Sequence, residues 1–197
     1  MFKLVLVLSL CYIAAECGHI KRNGGCDSVL ACDRHRVGTD IFNTITNNAT
    51  YGEFCQKATA FKSCYNGAEK KCDNQELKDN LTAEVNVADF VCSEISKKDF
   101  FTVANSECVK NELKVVELEL AIDGCTKDSQ QKLKFSLENI TPGQDASSFN
   151  FCPFVNELFV CELKKHTDMC GKRVGGFLDG LLKASTRPSF EQFSCGN

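Results

Sequence analysis

Two residue types in this chain of 197 residues stand out for their chemistry: cysteine, present fourteen times, and histidine, present three times. Cys11 lies in an apolar N-terminal run and Cys17 just behind it. The remaining twelve are Cys26, Cys32, Cys55, Cys64, Cys72, Cys92, Cys108, Cys125, Cys152, Cys161, Cys170 and Cys195. An oxidising secretory route turns thiols at this density into bridges, whereas a reducing cytosol does not. All twelve are therefore expected to form disulfides. Their spacings lack the two-to-four-residue gaps of structural zinc ligands, so no metal is expected.

Histidine is the commonest general base, and here it offers little. His19 lies near the leader. His35 sits in the charged run Asp33-Arg34-His35-Arg36, which reads as a solvated helix face. His166, in Lys164-Lys165-His166-Thr167-Asp168-Met169-Cys170, resembles the secreted phospholipases only superficially. Those enzymes pair His with an adjacent Asp behind paired cysteines and add a glycine-rich calcium loop, all absent here. No nucleophile elbow, zinc-protease helix, phosphate loop or EF-hand occurs, and Glu117, Glu119 and Asp123 read as helix surface. No catalytic residue and no cofactor are expected.

The N-terminus gives the compartment. Met1, Phe2 and Lys3 precede an apolar stretch from Leu4 to Ala15, the order of a basic region and an apolar core in a secretory signal. The stretch stops at Glu16, short of the roughly 20 residues a membrane span needs, and no later segment is apolar for that length, so no membrane anchor is expected. Cleavage after Cys17, or trimming after Lys21-Arg22, leaves an even number of cysteines. The mature chain is thus expected to start near Gly18 or Asn23. The sequons at Asn48, Asn80 and Asn139 fit the same export route and are glycosylation candidates. A net charge of -3 without a long basic run argues against nucleic acid or an anionic membrane as partner.

The elements that hold the thiols show in the spacing. Phe54-Cys55, Cys64 and Cys72 are matched by Phe151-Cys152, Cys161 and Cys170; each triplet is preceded by two cysteines and followed by one. The expected organisation is a signal peptide over 1–17, a short segment over 18–25 that is open to trimming after Arg22, and six-cysteine repeats over 26–100 and 101–197. No Pro, Gly or Ser-rich linker separates the repeats, so they are expected to pack together. At about 100° per residue, Phe54, Ala58, Phe61, Tyr65 and Ala68 form one helical stripe with Cys55 and Cys64 on either side. Phe151, Val155, Leu158 and Phe159 repeat it. Two more stripes are expected: Val109, Leu113, Val116 and Leu120 between Cys108 and Ile122, and Val174, Phe177, Leu178, Leu181 and Leu182.

Nine residues of helix rise about 13.5 Å, beyond the roughly 7 Å that a bridge spans between Cα atoms. Cys55 therefore cannot join Cys64, nor Cys152 join Cys161, and each must reach a neighbouring helix. The remaining connectivity stays open. Fifteen phenylalanines and no tryptophan fill the core, and the prolines at 142, 153 and 188 are expected at helix starts or turns. The fold class is all-α, a disulfide-stapled helical bundle of two tandem six-cysteine repeats.

The string from Phe54-Cys55 through Cys64 and Cys72 to Phe90-Val91-Cys92-Ser93-Glu94, then Asp99-Phe100-Phe101, Ser106-Glu107-Cys108-Val109 and Cys152, Cys161 and Cys170-Gly171, resembles the secreted cysteine-rich helical proteins of arthropods and nematodes. These include the insect 27-kilodalton haemolymph glycoprotein family and a nematode domain of similar build. The absence of tryptophan departs from them. The resemblance implies an invertebrate protein of body fluid or gland secretion, venom included, and carries over no functional residue.

The expected function is a secreted, non-enzymatic, disulfide-rich binding protein of a gland secretion (toxin-like) or of haemolymph, acting by surface recognition of an unknown extracellular protein. The alternative is an extracellular carrier of small apolar ligands, motivated by the phenylalanine-rich stripes. A secreted hydrolase using His35 or His166 ranks last.

Overall fold

Short polar side chains decide where the helices begin. Asn47 accepts from the backbone N–H groups of Ala49 and Thr50, while the Thr50 hydroxyl accepts from Asn47 N–H, a reciprocal cap. Asn74 accepts from Leu77 N–H, Ser93 from Ser96 N–H, and Asn111 from Leu113 and Lys114 N–H, each meeting donors that a helix start leaves unpaired.

A computed structural model of the chain describes residues 26–37, 41–139 and 149–192. The leader, the 18–25 segment, His19, Pro142 and Cys195 lie outside the described residues. The α-helices are α1 (Asp27–Leu30), α2 (Ile41–Thr44), α3 (Asn48–Ala68), α4 (Gln75–Cys92), α5 (Glu94–Ala104), α6 (Glu107–Lys110), α7 (Glu112–Glu138), α8 (Cys152–Cys170) and α9 (Lys172–Gln192). Short 3-10 turns cover Ala31–His35 and Glu69–Lys71, and every regular element among the described residues is helical. The expected all-α, disulfide-stapled bundle is what the chain forms.

Five bridges join described cysteines: Cys26–Cys72, Cys32–Cys64, Cys55–Cys92, Cys108–Cys170 and Cys125–Cys161. Cys152 is also disulfide-bonded. Cys55 ties α3 to α4, and Cys64 ties it to the 31–35 turn on its other side. On α8, Cys161 is held to α7 and Cys170 to α6. Loops of tens of residues closed this way each contribute about 2 to 4 kcal/mol by restricting the unfolded chain.

α9 occupies the middle, packed against α8, α4 and α5, while α7 lies on the far side of α8. One core cluster therefore draws on both sides of residue 100: Tyr51, Phe54, Val91, Phe100 and Val103 meet Val174, Phe177, Leu178 and Leu181. Phe100 is its hub, stacked on Phe42 at 5.5 Å and edge-on to Phe177 at 6.0 Å. Polar ties pin the helix pairs: Tyr51 donates to Val91 O at 2.8 Å, Tyr65 to Lys78 O at 2.9 Å, Lys62 pairs with Asp89 and Arg173 with Asp99. Arg36 reaches from the loop after the 31–35 turn to the buried carboxylate of Glu84, 2.8 Å away.

The stripe expected on α3 is buried throughout, as is that on α9. The stripe in the second triplet, Phe151, Val155, Leu158 and Phe159, is half-buried. The stripe expected between Cys108 and Ile122 is overturned: Leu113 is 76 % and Leu120 68 % exposed, and the buried face is Val115, Leu118, Ile122 and Cys125. Two physical reasons combine. Asn111 breaks the helix and caps a new one, so the phase does not carry through from Cys108. The Cys125–Cys161 bridge then rotates α7 so that the face bearing Cys125 meets α8. Pro188 also departs from its expected turn. It lies inside α9 with its ring buried, costing the Ala184 carbonyl one helical donor near the C-terminal end. Pro153 sits in the first turn of α8, where no N–H is missed.

Candidate functional site

The helix pair α8–α9 packs closely, and its geometry comes from two glycines. Gly171 takes φ 82°, a left-handed turn that L side chains resist, and so reverses the chain within one residue. Gly175 then lets α9 approach α8 so closely that a Cβ there would stand 2.8 Å from Thr167 Cα. Further along, the pair is indented. Between its walls lies a groove of about 470 Å³, lined by Asn156, Phe159, Val160 and Leu163 of α8 and by Asp179, Lys183, Thr186 and Arg187 of α9.

The two walls differ chemically. The α8 wall is mainly apolar, and Val160 presents itself to solvent at 69 % exposure. The α9 wall carries Asp179, Lys183 and Arg187 at successive helical turns, one above the other. Lys183 Nζ pairs with Asp179 Oδ2 at 2.9 Å. The other carboxylate oxygen, Asp179 Oδ1, is buried and has no hydrogen-bond partner among the described residues. A buried acceptor left unmet costs about 1 to 3 kcal/mol.

Beneath the groove, Glu162 and His166 stand one turn apart on α8, both buried, at 2 % and 6 % exposure. Burial pushes the Glu162 carboxyl up to about 7, with the nearby Asp179 charge adding to the rise. Burial pushes the His166 imidazole down to about 4, against the opposing pull of Asp179. Glu162 and His166 are thus desolvated, and the partly buried Asp179 of the groove wall is close enough for its charge to act on both. His166 Nδ1 has no hydrogen-bond partner among the described residues. The hydroxyls of Ser185 and Thr186 do not turn to it; both donate to Leu182 O, at 2.8 and 2.9 Å.

His35 is remote from this cluster, partly exposed, and its Nε2 accepts from Arg34 Nε at 3.0 Å. The two candidate bases are not brought together. Asn48, at the start of α3, Asn80, on the outer face of α4, and Asn139, after the last turn of α7, are all exposed. Asn139 Nδ2 donates to Phe135 O at 2.6 Å. Sequence reasoning missed Glu162, Asp179, Lys183 and Arg187. The signals were present as the i, i+4 pair Glu162–His166 and the i, i+4, i+8 ladder Asp179–Lys183–Arg187.

Among the described residues no group of three His, Cys, Asp or Glu side chains could hold a metal ion. No described helix is long and apolar enough to cross a membrane. Fold and site together define a disulfide-stapled, all-helical protein with an amphipathic groove between its last two helices. Compared with known protein families, curated proteins and solved structures, the chain matches none.

Proposed function

We propose that the protein is an exported, non-enzymatic binding protein that holds a small, largely apolar molecule in the α8–α9 groove. The observation that carries this reading is the groove itself. Its volume of about 470 Å³ lies within the roughly 300–1,000 Å³ usual for small-molecule sites, and it combines an apolar wall with a few convergent polar groups. The bridges to α6 and α7 hold α8 in place, which lowers the ordering cost a ligand would otherwise meet. His166 serves this reading as a buried neutral side chain rather than a base, because its displaced proton affinity and lack of a hydroxyl partner favour no nucleophile.

Export and glycosylation rest on the apolar leader, the oxidised cysteines and the exposed asparagines of the sequons. The two-repeat organisation is supported by bridge order. The first set joins its first cysteine to its fifth, second to fourth and third to sixth; the second set repeats the first two pairings. The same order assigns Cys152 to Cys195, a pairing that peptide mapping under non-reducing conditions tests. Kinship with the arthropod and nematode secreted proteins is part of the same proposal.

The test is uptake of the uncharged fluorophore N-phenyl-1-naphthylamine by the bridged protein, compared with the variant Val160→Trp. Val160 is exposed, so the indole fills the groove without disturbing the core. Saturable uptake by the wild type and its loss in the variant are expected; equal uptake by both, or none by either, sinks the reading. A second reading, recognition of an extracellular protein, is favoured by the exposed row Leu113, Val116 and Leu120 on α7. Capture of a secreted partner that Leu113→Asp abolishes would establish it.

A further inference from the structure

On the reading that the exposed face of α7 recognises an extracellular protein, the side chains of that face specify the chemistry of the partner. Leu113, Val116 and Leu120 follow i, i+3, i+7, the spacing of an apolar seam along which two helices pack. They are 76 %, 39 % and 68 % exposed. The row lies roughly 170° round the helix from the buried row Val115, Leu118, Ile122 and Cys125, and so points away from α8, to which Cys125 is bridged. It closes where the next two positions of the same repeat, Asp123 and Lys127, pair with each other at 2.6 Å.

The positions beside such a seam decide which helix it accepts. Here they are Glu112, Glu117 and Glu119. Glu112 and Glu117 are exposed and make no ion pair among the described residues, while Glu119 is half-buried. Lys114, the cation that falls between them in sequence, lies about 60° beyond Glu117 on the side away from the row.

That uniform sign separates the helices that could lie on the row. A second copy of this chain would set carboxylate against carboxylate whichever way its α7 ran, because every flanking position carries the same charge. A partner helix flanked by Asp or Glu meets the same repulsion. One that carries Lys or Arg beside its own apolar stripe pairs with Glu112 and Glu117 while its stripe covers Leu113, Val116 and Leu120. The seam rises only about 10.5 Å from Leu113 to Leu120, so the contact is weak and reversible.

We propose that the solvent face of α7 docks an amphipathic helix of a secreted partner protein, with Lys or Arg flanking the apolar stripe of that helix.

The experiment titrates two fluorescent three-heptad peptides with the bridged wild-type protein and follows anisotropy. Both peptides carry a leucine seam; one has lysine at every flanking position and the other glutamate. Exposed ion pairs are individually weak, but two attractions become two repulsions between the peptides, so the lysine peptide should bind about tenfold more tightly. Leu113→Asp should weaken it by about tenfold or more, through loss of apolar contact. Glu112→Lys combined with Glu117→Lys should reverse the preference and make the glutamate peptide the tighter binder, an outcome that a folding defect does not produce. Glu76→Lys, exposed on α4, should leave the ratio unchanged. Equal binding of the two peptides, or a change with Glu76→Lys as large as that with the α7 pair, overturns the charge assignment; if Leu113→Asp still abolishes binding, the face stands as a contact surface. Binding of neither peptide, or binding that Leu113→Asp leaves intact, overturns the contact surface itself.

Discussion

Replacing Glu162 with glutamine should change how stability depends on pH more than it changes the fold. The carboxyl is 2 % exposed and is pushed from the ordinary 4.5 up to about 7 by burial first and by the Asp179 charge second. Between those values the folded chain keeps a proton that the unfolded chain has released, so stability falls as pH rises through that window. At about 1.4 kcal/mol per pH unit, the loss reaches about 3 kcal/mol above pH 7. His166 works in the opposite sense. Its imidazole, lowered from 6.5 to about 4, is neutral in the fold where the unfolded chain is protonated, so stability rises with pH across that window. The two slopes oppose one another between pH 4.5 and 6.5, and the wild type is expected to be nearly flat there.

Glu162→Gln removes one slope and leaves the other. The variant should match the wild type near pH 4, climb steadily to about pH 6.5, and exceed it by about 3 kcal/mol at pH 8. Urea unfolding followed by far-ultraviolet circular dichroism, with the bridges intact and at half-unit steps from pH 4 to 8, measures this directly. A difference between the two proteins that is the same at pH 4 and pH 8 would refute the buried-carboxylate reasoning.

Removing the Cys55–Cys92 bridge as a double alanine variant reopens a loop of sequence separation 37 and should cost about 3 to 4 kcal/mol in urea unfolding; a loss below about 1 kcal/mol would mean that α3 and α4 are held by packing alone. Gly175→Ala drives a Cβ into the Thr167 backbone and should lower stability by about 1 to 3 kcal/mol, read as a fall of several degrees in calorimetry, and an unchanged melting temperature would count against the close α8–α9 approach. Leu120→Glu, on the exposed face of α7, should stay within about 0.5 kcal/mol of the wild type; a loss of 2 kcal/mol or more would show that this face is covered in solution.

Much of this architecture could be read along the chain because it depends on local periods and on lengths. The stripes from Phe54 to Ala68 and from Val174 to Leu182 are continuous within single helices, so a rotation of about 100° per residue was enough to find the buried face. The rise of a helix likewise sufficed to separate Cys55 from Cys64, and the two thiols go to different neighbours, Cys92 and Cys32. The α7 face could not be read in that way. Leu113, Val116 and Leu120 have as good a period as Val115, Leu118 and Ile122, and both rows are apolar. Only Cys125, spaced i, i+3, i+7, i+10 with the second row, distinguished them.

The chain by itself determined that this is an all-helical, bridge-held protein, because helical period is a property of short segments and the number of thiols is read directly along the chain. Tertiary structure alone decided which face of α7 is buried and that Asp179, on the groove wall, comes close to the buried Glu162 and His166. Those outcomes depend on how far apart and at what rotation two helices come to rest. Here that is set by the left-handed turn at Gly171, the close approach at Gly175 and the bridges that hold α8 to α6 and α7.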